Sequence, residues 1–134
     1  MHADAIDLCA SAELAERGKA IVFDVLVFGR PERAFALRFD GRVVAYLNRC
    51  AHVPAEMDWQ PGEFLDADRN FILCSIHGAS YDAASGHCIG GPCGRGRLMA
   101  IAVDERDGRV RWYPSRDVRP VAESFGETSP SSQT

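Results

Sequence analysis

Two short stretches of the sequence each place a cysteine and a histidine within three residues of one another. The first contains Cys50 and His52, and the second contains Cys74 and His77. Thiolate and imidazole ligands favour iron–sulfur or zinc centres over hard cations. Two ligands so close on one loop can reach one metal centre. The pattern C-x-H followed by C-x-x-H therefore predicts a site with four ligands drawn from two loops.

The order of these ligands favours an iron–sulfur cluster. In one type of two-iron cluster, two histidines bind one iron and two cysteines bind the other. Each of the two loops then supplies one cysteine and one histidine. A zinc finger normally pairs cysteines on a hairpin and histidines on a helix. Here the pairs are mixed, and Gly78 follows the last histidine directly. Structural zinc remains an alternative, because four such side chains can hold zinc tetrahedrally.

Composition limits the class of protein. The chain has 134 residues, which fits one domain, and a formal net charge of −4, which argues against a nucleic-acid binder. It contains no apolar run of about 18 residues that would span a membrane, and its first residues do not resemble a signal peptide. A cytoplasmic location follows as the expectation, with no membrane partner.

The five cysteines are an odd number, which argues against a disulfide framework and for metal or redox chemistry. Cys88 and Cys93 are close enough in sequence to approach each other, but disulfides are uncommon in the cytosol, so their pairing stays open. Cys9 is expected to be a buried strand residue.

The elements that must position the two Cys/His pairs are short strands. AIVFDVLVF, RAFALRF and RVVAYLN read as three strands, joined by a turn at GRPE and a tight hairpin turn at Asp40-Gly41. NFILC leads into the second pair, and ASYD and HCI form a small hairpin with Gly86 at a positive φ. RLMAIAV and RVRWY form a last hairpin. The pattern predicts an all-β chain with the metal-type residues on loops.

The stretch CAH…CSIHGASYDAASGHCIGGP resembles the Rieske [2Fe–2S] proteins, and among them the ferredoxin components of multicomponent oxygenases. The likeness covers roughly residues 43–103. It implies an antiparallel β sandwich or partial barrel with a small cluster-binding subdomain. It also implies one [2Fe–2S] cluster, with Cys50 and Cys74 on the buried iron and His52 and His77 on the outer iron. Pro92 is expected to cover the cluster from a third side.

The sequence departs from the family pattern at several places. The gap between the two pairs is long, so MDWQPGEFLDADRN is interpreted as an insertion, and the extra cysteines of the high-potential members are missing. In the high-potential members, a serine and a tyrosine after the second histidine donate hydrogen bonds to the sulfurs of the cluster and its ligands. This chain has Ala79 and Tyr81 at those two positions. With one donor present, the predicted potential is low, slightly above the bottom of the Rieske range of about −150 to +300 mV.

The resemblance, together with the lack of a recognisable catalytic motif, predicts a one-electron carrier rather than an enzyme. A mononuclear iron site would need further histidines, and only His2 and His87 are left. The expected partners are a flavin reductase and a terminal oxygenase or similar redox enzyme. The alternatives are a small subunit of a larger, nitrite-reductase-like complex, and a zinc-binding interaction module. Five acidic residues between the two pairs form either a docking face or a solvated loop: Glu56, Asp58, Glu63, Asp66 and Asp68.

The expected organisation is a single Rieske domain over residues 1–113, with its cluster-binding part at about 48–97. Residues 114–134 lose apolar character and are expected to form a flexible C-terminal tail.

Overall fold

The computed structural model describes residues 5–50, 56–58, 60, 62–74, 78–92 and 94–121. These ranges contain one 3-10 turn at Ser11–Glu13 and ten strands: β1 Ile6–Ala10, β2 Ile21–Val27, β3 Arg30–Phe39, β4 Arg42–Leu47, β5 Ile72–Leu73, β6 Ser80–Tyr81, β7 Cys88–Gly90, β8 Val103–Arg106, β9 Arg109–Trp112 and β10 Val118–Pro120. In these ranges no helix is long and apolar enough to cross a membrane. The all-β prediction is confirmed.

The central sheet has the order β10-β2-β3-β4, and all its described pairs are antiparallel. The predicted turn at Asp40-Gly41 joins β3 and β4, with both residues at positive φ (54° and 79°). The β2–β3 turn comes earlier than predicted, at Phe28-Gly29, whose φ angles are also positive. Pro31 is therefore a strand residue rather than a turn residue. It lies opposite Leu26, in the part of β3 beyond its pairing with β4, where a missing N–H is tolerated.

Alternation along β3 and β4 divides the hydrophobic core into two. Ala34, Ala36, Ala45 and Leu47 face one core, while Phe35, Leu37 and Tyr46 face the other. This is the period-two pattern of a strand that is buried on both faces. The central sheet therefore separates a sheet made of β1, β9 and β8 from a sheet made of β5, β6 and β7, the latter being called here the cluster sheet.

The sheet β1-β9-β8 brings the first strand against one of the last, with Ile6 opposite Trp112. Cys9 on β1 is buried, as expected. The first strand of the last predicted hairpin, RLMAIAV, starts later than the sequence suggested, because β8 begins only at Val103. The residues before it run along β4 instead: Leu47 N donates to Met99 O, and Ile101 N donates to Ala45 O, both at 2.9 Å. This segment connects two sheets and gives the partial barrel.

Strand β10 lies inside the segment that the sequence assigned to the tail. Val118 is buried opposite Val27, and Pro120 pairs with Val25. A three-residue strand that comes shortly after Pro114 and ends on Pro120 carries almost no periodic signal, which is why the sequence did not predict it. The structure therefore has a strand at Val118–Pro120, after residue 113, where the sequence placed the end of the domain.

Candidate metal centre

The first predicted ligand loop begins where β4 ends. Leu47 is the last strand residue, and Cys50 follows three positions later with its side chain only 2% exposed. Cys50 packs in the core between the central sheet and the cluster sheet. The end of β4 thus places Cys50 in the interior of the protein.

The second loop begins immediately after β5, at Cys74, which is fully buried in the same core. Cys74 N donates a hydrogen bond to Ala79 O, and Gly78 N donates to Cys74 O, both at 2.8 Å. Gly78 supports this tight closure with a φ of +78°. The backbone of Cys74 is therefore hydrogen-bonded to both Gly78 and Ala79.

The fold brings Cys50 and Cys74, 24 positions apart in the sequence, into one hydrophobic core. His52 and His77 lie outside the described residues, so their part in the site remains a prediction. The described part consists of two buried cysteines that follow two different strands, and their role as ligands also remains a prediction.

Tyr81 on β6 is the polar group that approaches these sulfurs. Its side chain is fully buried, and its Oη lies 3.5 Å from Cys50 Sγ. The pairing of β6 with β7 shifts register between Ser80 and Tyr81. Ala79 and Tyr81 are both buried, whereas Ser80 between them is partly exposed. The predicted tyrosine is thus within hydrogen-bonding distance of a predicted ligand, and the neighbouring donor position carries only the methyl group of Ala79.

The glycine-rich loop after β7 packs on the second ligand loop. Cys88 N donates to Gly96 O, and Leu98 N donates to Gly86 O, so the loop is closed at its base. Gly91 has a φ of +82°, and a Cβ at this residue would lie 2.6 Å from Gly78 O. Pro92 follows Gly91 and is exposed. Its predicted role as a cover remains a prediction.

A family model for the Rieske [2Fe-2S] domain matches residues 4–118. The chain belongs to the Rieske [2Fe–2S] family. No curated protein sequence matches it.

Solved structures of Rieske ferredoxins share the fold of this Rieske chain. The ferredoxin of carbazole 1,9a-dioxygenase from Nocardioides aromaticivorans IC177 has a TM-score of 0.65 at 22% identity, over 83% of this chain and 98% of that chain. The ferredoxin of Sphingomonas yanoikuyae B1 has a TM-score of 0.61 at 24% identity, over 84% and 100%. A chain in the complex of reduced oxygenase and oxidized ferredoxin of carbazole 1,9a-dioxygenase has a TM-score of 0.63 at 19% identity, over 81% and 92%.

The described residues fit the [2Fe–2S] cluster of a Rieske domain. Cys50 and Cys74 are soft donors of the type that iron–sulfur clusters take, and both are sealed from solvent. The hydroxyl of Tyr81 is placed to donate to a thiolate at Cys50. A bound cluster would supply one-electron redox chemistry, and Cys50 and Cys74 would be its sulfur ligands, with the Tyr81 hydroxyl beside them.

Replacing Gly91 by alanine is expected to destabilise the Rieske domain by about 3 kcal/mol. The left-handed backbone costs a non-glycine residue roughly 1–2 kcal/mol, and the overlap with Gly78 O adds a similar amount. Because Gly78 belongs to the second ligand loop, cluster loss should accelerate as well. Thermal unfolding and the decay of visible absorption measure the two effects.

Gly94→Ala is the matched control, since Gly94 also has a positive φ of 60° but open space around its Cβ position. It should show the backbone cost alone. Equal behaviour of the two variants would contradict the close contact between Gly91 and the second ligand loop.

Cys88 is one of the two cysteines whose pairing the sequence leaves open. It is disulfide-bonded, whereas Cys9, Cys50 and Cys74 form no disulfide. Cys93 lies outside the described residues. Of the two cysteines whose pairing the sequence left open, Cys88 is therefore in a disulfide. It lies on β7, the strand that leads into the glycine-rich loop.

We expect Cys93 to be the partner of Cys88, because it is the fifth cysteine of the chain. Alkylation of the denatured, unreduced protein followed by peptide mapping should leave Cys88 and Cys93 unmodified and cross-linked. The variant Cys88→Ser should make Cys93 fully alkylatable, and Cys9 serves as the internal control. Alkylation of Cys93 in the unreduced parent protein would rule out this pairing.

Most of the acidic residues between the two ligand loops already have partners within the chain. Asp66 accepts hydrogen bonds from the backbone of Asn70 and Phe71, at 2.8 and 3.3 Å. The carboxylates of Glu56 and Glu63 lie 3.8 and 3.6 Å from Arg33 and Arg69. Asp58 accepts from Asn48 and Gly62. These contacts favour the solvated-loop interpretation over a dedicated docking face.

Two other buried titratable groups in the described residues are structural. Tyr46 Oη donates to Ala83 O at 2.7 Å, and burial raises the pKa of Tyr46 to about 12. Burial also raises the pKa of the Cys9 thiol, which keeps it protonated and unreactive. Neither group approaches the ligand cysteines by a described contact, and both therefore offer controls for variants at the site.

Asn48 is the residue of the site that the sequence analysis missed. It is buried, lies two positions before Cys50, and hydrogen-bonds to residues that follow the first ligand loop. An asparagine at the end of the predicted strand RVVAYLN, two positions before a predicted ligand, was the available signal, but its partners lie in a segment without periodicity.

Proposed function

We propose that this chain is a one-electron carrier that takes an electron from a flavin reductase and passes it to a terminal oxygenase or a similar redox enzyme. The observation that supports this proposal most directly is the burial of the two predicted ligands Cys50 and Cys74, which are 2% and 0% exposed, within a Rieske fold. A centre whose sulfur side is sealed can exchange electrons through its exposed side, but it offers no room for a substrate on the buried side. This favours electron transfer over catalysis.

The proposed ligand set is Cys50 and Cys74 on the inner iron, with His52 and His77 on the outer iron as the point of electron exit. Tyr81 donates to Cys50 Sγ and stabilises the more negative, reduced state. Pro92, on the exposed loop that packs against Gly78, covers the third side of the site. The predicted potential stays low because Ala79 provides no second hydroxyl.

The proposed partners rest on the kind of protein that shares this fold. The Rieske chains from Nocardioides aromaticivorans and Sphingomonas yanoikuyae are named as ferredoxins, and this chain covers nearly their whole lengths. A third match comes from a complex of an oxygenase with its ferredoxin. A cytoplasmic location and the absence of nucleic-acid partners complete the proposal, consistent with a net charge of −4.

The first test is an absorption spectrum and low-temperature EPR of the purified protein before and after dithionite, with iron, sulfide and zinc assays. A red-brown protein with about two irons per chain and a rhombic signal only after reduction supports the carrier. Electron transfer is then measured by mixing it with NADH, a flavin-dependent ferredoxin reductase and cytochrome c as the acceptor. A colourless protein with one tightly held zinc would contradict the proposal and leave an interaction module. Isolation from its native source only within a large complex would favour the reductase-subunit alternative.

A further inference from the structure

Asn48 is the one amide side chain that is buried among the residues that the structure describes, with 2% exposure. It lies between Leu47, the last residue of β4, and the predicted ligand Cys50. Its backbone N–H donates to Arg33 O at 2.8 Å, which holds it against the neighbouring strand β3. An amide is buried only where its hydrogen-bonding groups find partners. The hydrogen-bond partners of the Asn48 side chain therefore indicate why an amide is buried at this position.

The side chain of Asn48 uses both ends of its amide on the far side of the first ligand loop. Asn48 Oδ1 accepts a hydrogen bond from Met57 N at 2.8 Å, and Asn48 Nδ2 donates to Asp58 Oδ1 at 2.8 Å. These two bonds bridge the entry of the loop and its exit, nine and ten positions later. The loop that begins with Cys50 is thus closed at its base by one side chain.

The exit of the loop is itself anchored to the body of the fold. Asp58 Oδ2 accepts from Gly62 N at 3.0 Å, and Gly62 O accepts from Ala20 N at 2.9 Å, just before β2. Met57 is fully buried in the same core as Cys50 and Cys74. The hydrogen bonds of Asn48 therefore tie the loop to fixed points rather than to a mobile segment.

We propose that Asn48 is a positioning residue for Cys50: its amide holds the two ends of the first ligand loop together and so fixes where the Cys50 sulfur is presented. Asparagine is suited to this because one end of its amide accepts and the other donates. Leucine of similar size offers neither group. Aspartate offers no donor and would place a second carboxylate against Asp58.

The hydrogen bond between Asn48 and Asp58 can be tested by exchanging the two side chains. In Asn48→Asp two carboxylates face each other, and in Asp58→Asn an amide faces an amide while Gly62 N must also be satisfied. In the double variant N48D/D58N the roles are exchanged: residue 48 accepts from Met57 N and from the amide of residue 58, whose oxygen still accepts from Gly62 N. The net charge equals that of the parent. If residues 48 and 58 contact each other directly, the double variant therefore regains the cluster retention and the Met57 protection that each single variant loses.

Two readouts on the cluster-loaded protein separate positioning from general stability. The first is the rate at which an iron chelator bleaches the visible absorption, together with the EPR g-values. The second is hydrogen exchange of the Met57 amide. Each single variant should lose the cluster about tenfold faster and exchange Met57 N–H about tenfold faster. The double variant should return to within about twofold of the parent in both.

Tyr46→Phe is the control for general stability, because it removes a buried hydrogen bond to Ala83 without touching the loop. It should unfold at a lower temperature but keep the parent g-values and the parent protection of Met57. If Asn48→Asp does not fold, Asp58→Asn carries the test, since Asp58 is only partly buried. Unchanged Met57 exchange in the single variants, or no recovery in the double variant, would overturn the inference.

The inference rests on the proposed role of Cys50 as a ligand, and its failure can be told apart from a failure of that role. If Cys50 is not a ligand, Cys50→Ser retains the cluster while the exchange at Met57 still follows the Asn48 variants. If Asn48 does not position the loop, Cys50→Ser loses the cluster while Met57 exchange stays at the parent rate in N48D.

Discussion

Cys74→Ser is expected to abolish the cluster, reducing the iron content from about two per chain to background. Cys74 is fully buried directly after β5, so a solvent ligand could replace its sulfur only by opening the core. A serine hydroxyl is a harder and more weakly acidic donor than a thiol, and iron–sulfur clusters are held by thiolates. The same result is expected for Cys50→Ser. Iron and sulfide assays and the visible spectrum measure it.

Cys9→Ser is the matched control for both cysteine variants. It makes the same chemical change at another buried cysteine, which lies on β1 in the other core. It should cost stability, because a hydroxyl then replaces a thiol in an apolar environment, but it should keep the full iron and sulfide content. Retention of the cluster in Cys74→Ser, or its loss in Cys9→Ser, would show that the ligands have been assigned incorrectly.

Tyr81→Phe should lower the reduction potential by an amount on the order of 50 mV. The hydroxyl lies 3.5 Å from Cys50 Sγ and stabilises the sulfur most when the centre carries its extra electron. For a one-electron couple, each tenfold change in the equilibrium constant is worth about 59 mV. That tenfold is about 1.4 kcal/mol, the upper part of the range for one net hydrogen bond. Protein-film voltammetry or a dye-mediated titration followed by circular dichroism measures the shift.

Tyr46→Phe again serves as the control, since Tyr46 is equally buried but donates to Ala83 O. It should leave the potential within error of the parent. The reverse change at the other donor position, Ala79→Ser, should raise the potential if the buried site admits the hydroxyl. An unchanged potential in Tyr81→Phe would show that the hydrogen bond from Tyr81 does not help to set the reduction potential of this chain.

The parts of the fold that the sequence predicts correctly are those with local causes. The hairpin at Asp40-Gly41 is visible because a two-residue turn of this kind needs positive φ at both positions. The two Cys/His pairs are visible because each is contained in four residues or fewer. Gly86 was placed correctly for the same reason, and its neighbour in the structure is the ring of Tyr46, 2.8 Å from where a Cβ would lie.

The parts that the sequence does not predict are contacts between segments without a period of their own. Nothing in the letters around Asn48 indicates that it will reach Met57 and Asp58, because the segment after the loop has no strand or helix pattern. The contact of Gly91 with Gly78 is equally hidden, since it joins two loops. The turn at Phe28-Gly29 was misplaced because Pro31 is a stronger turn signal than a phenylalanine at positive φ.

The pairing of Ile6 with Trp112 has a consequence for the order in which the molecule can be completed. Strand β1 is made first, yet its partner β9 exists only after both ligand loops and the cluster sheet have been synthesised. Contacts between residues so distant in sequence form slowly, because a large loop must close before they contribute. On the ribosome, the cysteines that become buried therefore emerge in a chain whose outer sheet is still open. The pairing of β1 with β9 then joins the first strand of the domain to one of its last.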